Sequence, residues 1–167
     1  MPQDRAAQRK IKSISALGRI VRQAKSKGRR VVFTNGCFDL VHAGHVTLLE
    51  RAKRLGHLLI VAINSDRSVR GLKGSRRPIM GQRGRALLIA ALESVDYVTI
   101  FNDATPERLV RRLRPHVLVK GADWGPGRVV GGDIVQRDGG RVVRIPLVKS
   151  YSTTQLIERI RTVRDIR

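Results

Sequence analysis

Apolar positions in this chain switch repeatedly between a helical period and short uninterrupted runs. Ile14, Leu17, Val21 and Ala24, widened by Ile20, fall on one helical stripe. Ser13 or Ser15 is placed to cap that helix, and Gly28 to end it. The apolar run 31–33 then opens a strand over 31–34, followed by a glycine-bearing loop and a helix over 45–55 that Gly56 stops. The run 58–63 is apolar at every position, which implies a strand buried on both faces, as in parallel sheets. Beyond it, 67–82 reads as a basic loop and 83–93 as a helix with Leu87, Leu88, Ala91 and Leu92 facing inward. A strand over 97–101 precedes a helix over 106–113, announced by Thr105, Pro106 and Glu107. A strand over 117–119, a glycine-rich loop over 121–132, a short helix near 132–138, a strand over 141–145 and a final helix over 154–163 complete the series.

Strands alternating with helices specify an α/β fold: one doubly wound, Rossmann-like domain around a mostly parallel five-stranded sheet. No internal repeat or linker divides it, so residues 13–167 form one domain behind a basic stretch, 1–12, expected to be mobile. In such sheets ligands sit beyond the C-terminal strand ends, where the loop after 31–34, Asn64-Ser65-Asp66, Lys120-Gly121 and the segment before the last helix can converge.

Composition narrows the class. At 167 residues and 41% hydrophobic content the chain can bury one core. No apolar run approaches the roughly 20 residues of a membrane span, no signal-peptide pattern opens it, and the single cysteine, Cys37, excludes an internal disulfide. A cytoplasmic location follows as the expectation. The net charge of +21 favours phosphate-bearing partners and would suit nucleic acid. An aromatic content of 4%, with no zinc-finger or RNP pattern, leaves few platforms for bases, so nucleic acid is not expected as the main partner.

The densest chemistry lies in Thr34-Asn35-Gly36-Cys37-Phe38-Asp39 and His42-Ala43-Gly44-His45. A strand, a glycine turn and a helix start present free N–H groups and a positive dipole end to an anion. His42 and His45, three residues apart, lie on one face of the first turn and can address the same phosphates. Two histidines on one helical face could also be half of a zinc site, but His57 and His116 show no matching ligand pattern. Gly44 would let a phosphate approach the backbone. Asp39 could be a Mg²⁺ ligand, a cap or a turn former, and Cys37 is most simply a small buried side chain.

This stretch resembles the HxGH signature of the cytidylyltransferase-like nucleotidyltransferases. Lys120-Gly121-Ala122-Asp123-Trp124 resembles the KGxD[WY] segment of the branch that activates heptose 1-phosphate to ADP-heptose, and Ser152-Thr153-Thr154 its STT motif. The resemblance implies an enzyme that transfers AMP from ATP, as its Mg²⁺ complex, to D-glycero-β-D-manno-heptose 1-phosphate for lipopolysaccharide core synthesis. It implies that His42, His45 and Lys73 are catalytic. Thr34, Asn35, Gly36, Cys37, Phe38, Gly44, Arg85, Gly121, Asp123, Ser152, Thr153 and Thr154 would bind nucleotide. Asp39, Arg76, Lys120 and Trp124 would bind the sugar phosphate, with Mg²⁺ carried mainly by the phosphates. Arg83 departs from the pattern, standing where relatives carry an acid. Relatives often carry this domain behind a sugar kinase, and a homo-oligomer, dimer or higher, is expected. A glycerol-3-phosphate cytidylyltransferase would share the histidines and STT, a GDP-forming heptose enzyme is a further variant, and a nucleic-acid-binding module is the reading from a different class.

Overall fold

Seven consecutive residues, Leu58–Asn64, are buried and form the strand on which the fold is built. In the computed structural model, which describes residues 6–121, 129–146 and 151–163, the strands are Val31–Gly36 (β1), Leu58–Asn64 (β2), Tyr97–Phe101 (β3), Val117–Gly121 (β4) and Arg141–Ile145 (β5). They make one sheet in the order β3-β2-β1-β4-β5, and every pairing between neighbours is parallel. The chain winds outward from β1 to β3, then crosses to the other side of β1 for β4 and β5. The reversal lies between β1 and β4, and the cleft of a doubly wound sheet lies beyond the C-terminal strand ends at such a point.

The helices are Ala6–Lys10 (α1), Ile14–Ser26 (α2), Ala43–Lys53 (α3), Asp66–Lys73 (α4), Gln82–Ala91 (α5), Glu107–Leu113 (α6), Gly132–Arg137 (α7) and Thr153–Val163 (α8). Because side chains alternate across a strand, the sheet feeds two cores. Val32, Leu59, Val61, Ile63, Val117 and Val119 meet Leu49 and Ala52 of α3 and Ala86 and Ile89 of α5. On the other face Phe33, Leu58, Ile60 and Leu118 meet Leu17 and Val21 of α2, Leu109 and Leu113 of α6, and Val135 of α7. The continuous apolar run 58–63 is thus explained by one strand serving both layers.

Four departures from the sequence pattern have physical causes. Residues 6–12 are ordered rather than loose: Ala7 and Ile11 of this polar stretch pack on the α3/α5 core. Ile11 bridges Val98, and the Lys12 amide donates to the Val98 carbonyl at 2.8 Å, shielding the edge of β3. The expected loop 67–82 begins instead with α4, started by Ser65, whose hydroxyl accepts from the Ser68 amide at 3.2 Å, and anchored by the buried Val69. In α5 the inward face is Arg85, Ala86, Ile89 and Ala90, while Leu87 and Leu88 stand 44% and 43% exposed. The face is rotated because Arg85, not a leucine, supplies the buried anchor. Lastly, β1 runs two residues past 34, so Asn35 and Gly36 pair with Ala62 and Ile63 as strand.

Ile60, fully buried between β1 and β3, has no room for loss of volume. Ile60→Ala should lower the unfolding free energy by about 2–5 kcal/mol in denaturant titration, with an unchanged m-value.

Candidate active site

β1 delivers the chain to the reversal point and then bends sharply. Phe38 adopts a left-handed conformation (φ +48°) and turns its ring inward, 5% exposed. Gly36 is needed for that bend, since a Cβ there would stand 3.0 Å from the Phe38 ring. The Phe38 ring in turn lies 5.1 Å from that of His45, tilted by 58°. A short apolar wall therefore backs the second histidine.

His42 occupies the N-cap of α3 in extended geometry and makes no side-chain cap bond. Its ring stacks on His45, with centroids 3.8 Å apart and planes inclined by 21°. Gly44 allows this, because a Cβ would meet His42 Nδ1 at 3.0 Å and Tyr151 Cβ at 3.2 Å. The same glycine brings the start of α8 to the histidines: Tyr151 immediately precedes Ser152, whose hydroxyl accepts from the Gln155 amide at 3.1 Å, with Thr153 and Thr154 in the first turn. Two helix N-termini and two imidazoles thus face one region. The buried Nδ1 atoms of His42 and His45 have no hydrogen-bond partner among the described residues, although buried polar atoms are nearly always satisfied.

The opposite wall is β4. Lys120 reaches across the reversal point to donate to Asn35 Oδ1, and the Thr34 hydroxyl donates to the Val119 carbonyl at 3.0 Å. Thr34 is therefore used in joining β1 to β4, and its side chain is not offered to a ligand. Gly121 ends β4 opposite Ile145, whereas Asp123 and Trp124 lie outside the described residues. Lys73 ends α4, exposed, and its charge acts on the Cys37 thiol, so it stands over the same loop. Burial still pushes that thiol up, which makes Cys37 a poor nucleophile. Arg76 is exposed on the segment after α4. His57 and His116 accept the Arg30 and Val31 amides at 2.8 and 2.9 Å, which gives both a structural use at the entry to β1.

The Cytidylyltransferase-like family profile matches residues 33–159, and so takes in both the histidine pair and the start of α8. The chain belongs to the cytidylyltransferase-like family. It is 54% identical over 153 residues to the bifunctional protein HldE of Geotalea uraniireducens, covering 92% of this chain and 31% of that protein. The bifunctional protein HldE of Magnetococcus marinus is 53% identical over 135 residues, 81% of this chain and 28% of the relative. The chain thus spans about a third of the length of these relatives. Among solved structures it resembles the lipopolysaccharide core biosynthesis protein of Thermoplasma volcanium, with a TM-score of 0.62, 26% identity, and 75% of this chain and 100% of that one covered.

Two side chains expected to touch ligand in this cytidylyltransferase-like site are occupied elsewhere. Arg85 is 0% exposed, and its guanidinium donates to the carbonyls of Met80 (2.9 Å), Cys37 and Asn64 (2.8 Å) and to Asp66 Oδ1 (2.8 Å). It lies behind the signature loop and fixes it. Asp39, 5% exposed, accepts from Arg77 Nη1 at 2.7 Å and from the amides of Ile79 and Met80 at 2.8 and 3.0 Å. It holds the 77–80 segment against the same loop rather than facing a sugar. Arg77 was legible only as a neighbour of Arg76, and Asp66 only as part of the Asn64-Ser65-Asp66 segment after a strand; their roles arise from long-range pairing.

Electrostatically the histidines are neutral. His45 is held down to about 4, first by burial and then by the adjacent His42, against a backbone interaction with Leu40. Burial lowers His42 as well. Each neutral ring has one donor and one acceptor, and a bound polyanion would favour protonation of the pair.

A histidine depressed from 6.5 to about 4 binds its proton more readily in the unfolded chain. Its stability contribution is complete above pH 6.5 and is lost as pH falls toward 4. In acid titrations of the denaturation midpoint, His45→Gln should flatten this fall relative to wild type. Arg85→Met leaves Asp66 and three carbonyls without their donor and should cost about 3–5 kcal/mol in the same assay.

Proposed function

We propose that this chain is an adenylyltransferase that transfers AMP from ATP to D-glycero-β-D-manno-heptose 1-phosphate, releasing pyrophosphate and forming ADP-heptose for lipopolysaccharide core synthesis. The observation that carries the reading is the stacked His42–His45 pair at the start of α3, where His42 sits at the N-cap and makes no side-chain cap bond. Family membership, the likeness to HldE proteins and the likeness to a lipopolysaccharide core biosynthesis protein support the substrate class.

A phosphate oxygen of the sugar phosphate attacks the α-phosphorus. The bond from that phosphorus to the oxygen bridging to the β-phosphate breaks, and pyrophosphate leaves with the electron pair. The nucleophile is already anionic at neutral pH, so no protein base is required. The protein contributes positioning and charge stabilisation. His42 and His45 hydrogen-bond the α-phosphate and the departing oxygen. Lys73 neutralises the triphosphate, Lys120 orients the sugar phosphate, and the first turns of α3 and α8 present amides to the phosphates. Arg85 and Asp39 position the loop that carries the histidines.

Among the described residues no group of three or more His, Cys, Asp or Glu could hold a metal ion. Asp39, the one sequence candidate, already accepts three hydrogen bonds from the protein. The described side chains therefore do not form a metal cage, and Mg²⁺ belongs to this reading as the form in which ATP arrives. No described helix is long and apolar enough to cross a membrane; a cytoplasmic homo-oligomer completes the reading.

Purified protein should release pyrophosphate from ATP, Mg²⁺ and the heptose 1-phosphate in a coupled phosphate assay. Turnover only with CTP and glycerol 3-phosphate would replace the assignment with that of a cytidylyltransferase. DNA binding that weakens steeply with salt, with no turnover of either pair, would favour the nucleic-acid reading. His45→Ala should lower kcat by on the order of 10²-fold, the scale for loss of one transition-state donor; an unchanged kcat would remove His45 from the chemistry.

A further inference from the structure

One strand outward from the histidines, an open surface depression of about 500 Å³ lies between α4 and the start of α5. It lies past the C-terminal ends of β2 and β3, bounded by Ser65 and Asp66 on one side and Asn102 on the other. His42, His45, Lys73 and Lys120 do not line it, so it is distinct from the site above.

Its walls are cationic. Arg67 and Arg70 come from α4 and Arg83 from the first turn of α5, and none of the three forms an ion pair with another described residue. Arg67 and Arg70 stand three residues apart on one helix, where like charges repel. The only acid in the lining, Asp66, has its Oδ1 held by Arg85 at 2.8 Å. Gln82 lines the depression and has its side-chain oxygen on the Asp66 amide at 2.9 Å. Three guanidiniums around a concave space match phosphate oxygens better than they match water, because each guanidinium can donate two parallel hydrogen bonds. The depression is open to solvent, and its volume exceeds the need of a bare phosphate ion.

We propose that this depression is a second anion site that takes a small phosphate ester, with Arg67, Arg70 and Arg83 on the phosphate and the amides of Gln82 and Asn102 beside its organic part. The site is mechanically joined to the signature loop. Asp66 forms its wall, Arg85 binds Asp66, and the same guanidinium binds the Cys37 carbonyl. An occupant that moved Asp66 would act on the histidine loop through two hydrogen bonds, both made by Arg85.

The test is backbone-amide NMR of the full chain titrated at about 0.15 M salt, where loose surface attraction is screened. The probes are inorganic phosphate and ribose 5-phosphate. Saturable shifts are expected at Ser65, Asp66, Gln82, Gly84 and Asn102, separate from any at residues 36–45. Arg67→Gln/Arg70→Gln/Arg83→Gln should abolish the first set and keep the second. A control with the same charge loss elsewhere on the surface, Arg19→Gln/Arg22→Gln/Arg112→Gln, should keep both. Arg83→Gln alone should weaken binding about tenfold, the loss of one charged hydrogen-bonding partner. Tighter binding of ribose 5-phosphate than of phosphate assigns the site to esters. Shifts that do not saturate, that survive in the triple variant, or that disappear equally in the control would overturn the proposal.

Discussion

The guanidinium of Arg85 is the constraint on which the site depends. It sits with no exposure at the junction of the signature loop, the end of β2, the start of α4 and the 80s segment, and donates to an acceptor on each. Charge-assisted hydrogen bonds of this kind contribute about 1.5–3 kcal/mol each when satisfied, and the buried charge is costly if any partner is lost. That asymmetry makes the arrangement nearly all-or-none. The loop after β1 has one position in which the cation is satisfied, and in that position the chain enters α3 with His42 over its first turn. Asp39 adds a second tie of the same kind, reaching Arg77 and two amides beyond α4. Two residues that look like ligand contacts in a linear reading are therefore the frame that aims the ligand contacts.

Close approach accomplishes the rest. Gly36 admits the Phe38 ring, and Gly44 admits both the His42 ring and Tyr151. The result is a stacked imidazole pair against an apolar wall, with helix starts from α3 and α8 directed at one place. In a chain of net charge +21, two neighbouring imidazolium ions would be expensive in the absence of an anion. Burial resolves this by keeping both rings uncharged. In the proposed reaction a polyphosphate would meet preformed, uncharged rings, and its own charge would raise their proton affinity. Binding and protonation would then be coupled in the direction that stabilises charge on the phosphates.

Much of this architecture is local and so is readable from residue order. The stripe Ile14, Leu17, Val21 and Ala24 is a one-sided helix, and Leu17, Val21 and Ala24 are buried as that period requires. The uninterrupted run 58–63 marks a strand covered on both faces, and β2 is buried at every position. The strand, glycine turn and paired histidines announce an anion site because dipole and amide geometry at a helix start need no distant partner. Ser152 caps α8 for the same reason.

Where distant partners compete, the linear pattern misleads. Leu87 and Leu88 read as the inward face of α5, yet Arg85 took the interior, and a helix has one orientation to give. Residues 1–12 read as a loose basic arm, yet Ala7 and Ile11 pack on the core and Ile11 bridges the edge strand β3. By itself, then, the order of residues determined the alternation of strands and helices, the glycine turn into a helix start and the placing of the two histidines there, all set by periods and spacings within a few residues. Only the tertiary structure decided which charged side chains face a ligand and which are spent inside. That choice turns on buried cations finding acceptors 19, 21 and 48 residues away, and desolvation makes such pairings obligatory once the core has closed.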